Sequence, residues 1–550
     1  MQAIILAAGK GSRLGSLTAE NTKCMLEVCG EKLIDISLKK LSAVGISKVI
    51  LVVGYQKDNL MNYLGSKVHG IDIIYIENPI YDKTNNIYSL YLAKDHLKTD
   101  DTLLLESDLI YDQKILEGLL KDPRPSLAVV DKYQSWMDGT VVTLDDNNKI
   151  TSFVPKKFFN YSYIDSYYKT VNIYKFSKEF SQSTYVPFLE AYSKALGNNE
   201  YYEQVLRVVL ELEKQELEGY PLQGENWYEI DDIQDKDNAE VIFAITPQEK
   251  LQLIQKRYGG FWRYPKLIDF CYLVNPYFPN KVFLDECKTN FNQLLSEYPS
   301  GASVQSLLAS KLFNVDQNSI LVGNGAAELI KALGDVYEGT FGIMQPTFYE
   351  YIDAIGADRI KSLVTQNDGF TYTKEELISL GKTVDNLILV NPDNPSGHLL
   401  TKNDVLDILN ALSNDNKKFI IDESFLDFAE NGFEQSLINT DLLEKYKNLV
   451  IIKSISKSYG VPGARLGVII TYDFERIKAM SKCLSIWNIN SFGEFFLQII
   501  GKYKDSYKSA CKTIINERNR FFAELSKISF IKVYKSEANY FLVKILDKYS

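Results

Sequence analysis

Apolar residues in the first half of the chain gather in short unbroken runs, with amphipathic stretches between them. "KVILVVG" (48–54), "DIIYIE" (72–77) and "DTLLLESD" (101–108) have the length and near-continuous hydrophobicity of strands covered on both faces. "LIDISLKKLSAVG" (33–45) instead spaces its apolar residues three and four apart, the period of a helix with one buried face. Strand and helix alternate up to residue 245, which predicts a largely parallel sheet wrapped by helices. In "ITPQEKLQLIQKRYGG" (245–260), Thr246, Pro247 and Glu249 supply an N-cap, a first-turn proline and a capping-box glutamate, so a helix is expected to start there. A domain boundary is placed at that point, giving units 1–245 and 246–550. Beyond it, "LVGNGAAELI" (321–330), "LILVNPDNPSG" (387–397) and "FIIDESFLDF" (419–428) again read as buried strands that end in glycine or polar residues.

At 550 residues the chain exceeds what one core holds, in agreement with at least two domains. A net charge of -10 argues against a nucleic-acid surface, which would need clustered lysine and arginine. No apolar run reaches the roughly 18 residues of a membrane span, and the N-terminus opens directly into a strand, so a cytoplasmic protein without a membrane partner is expected. The six cysteines form no C-x-x-C pair and read as reduced packing residues. Only His69, His96 and His398 are present, too few for a multi-histidine metal site.

The first candidate chemistry lies in "IILAAGKGSRLG" (4–15), where an apolar strand breaks into glycines and backbone N–H groups gain close access to a phosphate. It is not a Walker A loop, because no Lys-Ser/Thr follows Gly15, and Leu14 stands where the dinucleotide fingerprint needs its third glycine. What remains is Gly9-x-Gly11-x-Arg13, followed by Lys23 in "TKCMLEV". This pattern resembles the signature of the nucleotidyltransferases that couple NTPs to sugar phosphates or phosphocholine, with Thr22 in place of the usual proline. The resemblance implies a Rossmann-like domain in which Leu6, Ala7, Ala8, Gly9, Gly11, Ser12, Arg13, Lys23 and Asp108 bind the nucleotide.

Asp108 sits where the strand "TLLLE" runs out, the place where ligands gather in parallel sheets, and reads as a magnesium ligand or as a helix cap. The family holds Mg²⁺ between such a residue and an aspartate in a late W-x-E-(I/V)-D motif, which here assigns Asp231 in "NWYEIDDIQD" (226–235). Asp232 and Asp235 lie close by, and a solvated turn is the alternative for Asp231. An acceptor oxygen would attack the α-phosphorus in line and expel pyrophosphate, with Mg²⁺, Arg13 and Lys23 stabilising the charge that builds. "YDKTNNIYSLYLAKDHL" (81–97) is similar to the phosphocholine cytidylyltransferases, which implies CTP and a small amino-alcohol-like acceptor. Trp136 and Asp138 in "QSWMDGT" (134–140) offer a π face and a carboxylate to an ammonium, although Trp136 reads equally as a core residue. Lys156 is placed to reach the acceptor's anionic group.

In the second half, Asp422 ends a strand, and "KSISKSYGVPGARLG" (453–467) carries Lys457 between Ser456 and Ser458, with Arg465 downstream. Alone, each segment is weakly specific, and a lysine in a Ser-rich loop is ordinarily solvated. Their order together resembles the fold-type I pyridoxal-phosphate (PLP) aminotransferases, nearest the histidinol-phosphate aminotransferase and threonine-phosphate decarboxylase branch. The resemblance implies that Lys457 is the covalent anchor of the cofactor and shuttles a proton, and that Asp422 pairs with its ring nitrogen. It also implies that Asn394 contacts the ring hydroxyl, that Phe348 stacks on the ring, and that Ala326, Ala327, Ser454, Ser456 and Arg465 hold its phosphate. "VNPYFPN" (274–280) and "EYPSG" (297–301) resemble the segments that close the site, with Tyr298 supplied by the partner of a homodimer. Phe425 departs from the tyrosine common at its place. The sequence also ends at "NYFLVKILDKYS", without the family's closing segment and its carboxylate-binding arginine, so this domain is expected to lack its C-terminal end.

One half would thus make or consume an amine, and the other needs a phosphate or phosphonate acceptor. The order of the two is similar to the bifunctional cytidylyltransferase/transaminases of phosphonate biosynthesis. That resemblance implies amino transfer from a donor amino acid to phosphonoacetaldehyde and activation of 2-aminoethylphosphonate with CTP. A phosphocholine-type cytidylyltransferase joined to a decarboxylase-like PLP domain is the alternative.

Overall fold

The computed structural model describes residues 1–211, 217–413 and 417–546. It divides into two compact units, Met1–Leu267 and Ile268–Ser550. In the first, strand β1 (Gln2–Ala7), helix α1 (Leu33–Ala43), β2 (Lys48–Val53), β3 (Ile71–Glu77), α2 (Asn86–Leu92) and β4 (Thr102–Glu106) follow the expected alternation. Then come β5 (Leu127–Lys132), β6 (Val141–Leu144), β7 (Ile150–Val154), β8 (Tyr167–Phe176), α3 (Glu203–Glu211), β9 (Glu218–Pro221), α4 (Ile233–Ile242) and α5 (Pro247–Gln255). The main sheet runs β7-β6-β8-β4-β1-β2-β3, with β1 parallel to β2 and β4 and with β8 antiparallel to β4. Alternate residues of the central strands face opposite cores: Ala3, Ile5, Val49, Leu51 and Leu103 one way, Ile4, Leu6, Ile50, Val52 and Leu104 the other. This two-sided burial is why these strands read as unbroken apolar runs.

Thr246 accepts a hydrogen bond from the Glu249 N–H and Pro247 opens α5, as expected, but the Glu249 carboxylate returns to the N–H of Ile245 instead of the cap residue. Helix α5 and the turn after it lie with the first unit. The guanidinium of Arg257 donates to the backbone carbonyl of Asp237 and pairs with its carboxylate, and the Tyr264 hydroxyl donates to Asn238 Oδ1 at 3.2 Å.

The second unit is built on a seven-stranded sheet. Its elements are β10 (Ile320–Asn324), α6 (Gly325–Val336), β11 (Phe341–Gln345), β12 (Ile360–Val364), β13 (Asn386–Val390), β14 (Lys418–Asp422), β15 (Leu449–Ser454) and β16 (Leu466–Ile470). The order is β10-β16-β15-β14-β13-β11-β12, parallel except for the antiparallel pairing of β16 with β15 and β10. Leu387, Phe419 and Ile451 face one core and Ile388, Ile420 and Val450 the other. Among the described residues no helix is long and apolar enough to cross a membrane.

Candidate functional site

Strand β1 delivers the glycine loop to the rim of a cavity of about 550 Å³ in the first unit. Leu6, Ala8, Gly9, Gly11, Ser12, Arg13, Lys23 and Asp108 all line it. Ala7 does not. It alternates to the other side of the strand, its side chain is in the core, and its carbonyl accepts from Thr22 Oγ1 at 3.5 Å. Thr22 thereby ties the lysine segment to the strand from within. Gly11 has φ +64°, and a Cβ there would stand 3.2 Å from Lys23 Cβ, so glycine lets the loop turn beside the lysine.

Lys23 Nζ lies 2.5 Å from Asp108 Oδ2 and 2.8 Å from Asp231 Oδ1, and Arg13 Nη2 reaches the same Asp231 oxygen at 2.8 Å. Burial opposes the charge on Lys23, but the two aspartates outweigh it and raise its pKa above the ordinary lysine value. Burial likewise opposes ionisation of Asp231, and Lys23 and Arg13 nevertheless hold it below the usual carboxylate range. Asp232 and Asp235 are used differently. They form a capping box at the start of α4, with Asp232 accepting from the N–H groups of Gln234 and Asp235, and Asp235 accepting from those of Asp231 and Asp232. Asp232→Ala is therefore expected to cost about 1 kcal/mol of stability through the lost cap while leaving the metal dependence of catalysis unchanged. Denaturant melts and a Mg²⁺ titration of activity check both halves of that statement.

Asp108, Glu229 and Asp231 offer carboxylate oxygens that lie within 4.8 Å of one another, and Asp108 Oδ1 is buried without a hydrogen-bond partner. An all-oxygen set with an orphaned carboxylate oxygen fits Mg²⁺. Glu229 escaped the sequence reading, although its place two residues before Asp231, on an extended segment where alternate residues share a side, was a usable signal. It pairs with Lys169 at 3.4 Å and accepts from Asn172 Nδ2 at 3.0 Å. Further along the cavity, Glu106 accepts from Asn86 Nδ2 at 3.0 Å, and Glu203 from the Tyr174 hydroxyl at 3.4 Å. Burial raises both carboxyls, Glu203 to about 7. Neither carried a motif that would have disclosed it.

The acceptor residues separate. Asp138 and Lys156 line the cavity at an exposed edge, 3.8 Å apart. Trp136 lies in an adjoining recess of about 250 Å³, its ring stacked on Tyr228 with centroids 4.3 Å apart and its indole N–H donated to Gln134 Oε1. One face of the ring is thus used in packing.

In the second unit Lys457 follows β15 on a short helical turn, Ile455–Ser458. Its Nζ stands 4.9 Å from the Phe348 ring centre and 4.5 Å from that of Phe425. Burial lowers its pKa below the ordinary lysine value, with Asp422 opposing the shift and Arg465 adding to it. Asp422, at the end of β14, is 4% exposed and accepts from the Tyr351 hydroxyl and the Ser424 N–H. Ala326 and Ala327 lie in the first turn of α6, where backbone N–H groups are free for an anion. Gly325 before them has φ +77°, and a Cβ there would fall 2.6 Å from Arg465 Nη2. Glycine thus leaves room for the guanidinium beside the helix start. Ser454 joins the end of β15, whereas the Ser456 hydroxyl is engaged with the Leu466 backbone N–H and C=O. Asn394 lies half-buried in the turn after β13. Tyr298 is 77% exposed and stacked on Trp487. A desolvated amine between two rings, a buried carboxylate and an anion cradle fit PLP.

Residues 271–550 match the family Aminotransferase class I and II, and residues 2–229 match Nucleotidyl transferase. The CMP-5'-(3-aminopropyl)phosphonate synthase of Streptomyces rubellomurinus is 28% identical over 551 residues, covering 99% of this chain and 86% of that protein. The L-serine phosphate decarboxylase of Campylobacter jejuni is 32% identical over 294 residues, 51% of this chain and 75% of that protein. A histidinol-phosphate aminotransferase from Ruminiclostridium cellulolyticum is 28% identical over 260 residues, 46% of this chain and 70% of its own.

Proposed function

The chain belongs to the class I and II aminotransferase family, with a nucleotidyltransferase domain ahead of that part, and from this premise we propose that it activates 2-aminoethylphosphonate with CTP and interconverts that amine with phosphonoacetaldehyde. The observation that carries the reading is the presence in one chain of two separate sets of side chains. One set handles a phosphoryl group and a metal, and the other handles an amine. A small molecule bearing both an amine and a phosphonate serves both, and the relative that spans nearly the whole chain is named for such a compound.

In the first unit the loop N–H groups, Arg13 and Lys23 hold the triphosphate and stabilise charge on the α-phosphorus as the phosphonate oxygen attacks and pyrophosphate leaves. Asp108 and Asp231, with Glu229 beside them, would hold Mg²⁺, which when bound supplies Lewis-acid stabilisation of that charge. In the second unit Asp422, Asn394, Phe348, Ser454, Ser456, Arg465 and the α6 start would hold PLP, which supplies an electron sink. Lys457 Nζ moves the proton, and burial favours its basic, uncharged form. The exposed Tyr298 and Trp487 pair supports pairing of this unit with a second copy in a homodimer.

Pyrophosphate release with CTP and a panel of acceptors tests the reading. 2-Aminoethylphosphonate is expected to exceed phosphocholine by about tenfold or more in kcat/KM, the worth of a charge-assisted hydrogen bond that a trimethylammonium cannot donate. A preference for phosphocholine or glucose 1-phosphate would overturn it. A second reading for the PLP unit, decarboxylation, is favoured by Phe425, which has no hydroxyl to offer the cofactor, and by the similarity to a serine phosphate decarboxylase. Release of CO₂ from a phosphorylated amino acid in place of amino transfer would select it.

A further inference from the structure

The cavity of the first unit has two electrostatically different ends. At the loop end each carboxylate has a cation: Asp108 and Asp231 share Lys23, Asp231 also holds Arg13, and Glu229 holds Lys169. At the α3 end Glu203 and Glu106 line the same cavity with no ion-pair partner among the described residues, and Arg207, the cation of that helix in the lining, is paired with Glu211 at 3.6 Å. Glu203 is only 5% exposed. Its Oε1 accepts one long hydrogen bond from Tyr174, and its Oε2 is buried with no partner at all. A buried carboxylate oxygen left bare is costly to the fold and marks a place kept for something outside it.

We propose that Glu203, with Glu106 beside it, forms the subsite for the primary ammonium group of the acceptor. The inference rests on the reading of the first unit as a cytidylyltransferase of aminophosphonates and names the residue that selects the amine. A zwitterionic acceptor matches the two ends: its phosphonate goes to the Arg13 and Lys23 side, and its ammonium donates N–H bonds to the Glu203 carboxylate. A trimethylammonium has no N–H to give, and a deaminated acceptor has no charge to give. Asp138 is the weaker candidate for this role, because it is exposed and already faces Lys156.

The test compares 2-aminoethylphosphonate with ethylphosphonate, which has the same head without the amine. In the wild-type enzyme the amine-bearing acceptor is expected to lead. In Glu203→Gln that lead falls by about 10- to 100-fold, with the KM for CTP within about twofold. Glu203→Asp is expected to recover part of it, and Asp138→Asn to leave it in place. The ligand-free Glu203→Gln protein should melt no lower than wild type, since the change replaces a buried carboxyl whose charged form burial already disfavours with a neutral amide of the same shape. Equal losses for both acceptors would make Glu203 merely structural. A change in the CTP KM with the acceptor ratio intact would assign it to the nucleotide. A wild-type enzyme indifferent to the amine would remove the subsite altogether. If no acceptor supports pyrophosphate release, the domain reading itself has failed, and calorimetric binding of the two phosphonates to the wild-type protein still decides whether an ammonium site exists.

Discussion

Lys457→Ala is expected to abolish the visible absorbance that PLP gives on the wild-type protein and to lower amino transfer by at least about 10²- to 10⁴-fold, with pyrophosphate release within about twofold of wild type. Two buried lysines lie four residues apart in this stretch, and the structure separates their roles. Lys453 Nζ is fixed in an ion pair with Asp427 at 2.8 Å and donates to the Glu423 carbonyl. Burial opposes its charge, but Asp427 and Glu423 outweigh it and raise its pKa, which keeps it a cation and a poor nucleophile. Lys457 has aromatic rings on two sides and a lowered pKa, so its uncharged amine becomes available at lower pH than in an ordinary lysine. Amino transfer should accordingly rise with pH along a limb lying below the usual lysine range. Nucleotidyl transfer is spared because the two units bury separate cores. A borohydride-trappable linkage that survives in the variant would move the anchor to another lysine.

The strands and the two site loops were legible because their physics is local. A strand covered on both faces must be apolar at every position, and a phosphate loop must shed its Cβ atoms where the ligand approaches. The departure at Phe425 was equally visible. Illegible were the partnerships that the fold creates at a distance. Lys23 meets Asp108 across 85 residues and Asp231 across 208, and neither spacing carries a periodicity. Among the three neighbouring aspartates only the resemblance singled out Asp231, and the residues alone left a solvated turn open for it. The capping box separates the three, by engaging Asp232 and Asp235 and leaving Asp231 to the cations. Lys169 and Glu203 carry no motif, and only the fold shows that Glu203 lines the cavity and Lys169 the recess beside it. The same limit explains Trp136. Its chemistry suits an ammonium or a core alike, and the fold stacks one of its faces on Tyr228.

Asp108→Asn is expected to reduce nucleotidyl transfer by about 10²- to 10³-fold and to leave PLP binding unchanged. The substitution keeps the shape of the side chain and removes its charge. One oxygen of Asp108 now holds Lys23 at 2.5 Å and the other, Oδ1, is buried with no partner, so the residue is able to serve the lysine and a metal at once. An amide retains one weak oxygen ligand and turns two N–H donors toward an ammonium or a cation, which inverts the local electrostatics. Lys23 keeps Asp231, so the fold should tolerate the change better than it tolerates loss of both partners. The distinguishing readout is metal dependence. Half-maximal activity should move to higher Mg²⁺ concentration in Asp108→Asn and in Asp231→Asn, and should stay in place in Asp232→Ala, where only a helix cap is lost. If Asp108→Asn kept full turnover at the wild-type Mg²⁺ requirement, Asp108 would be left as the partner of Lys23 alone, and the metal would have to be sought between Glu229 and Asp231.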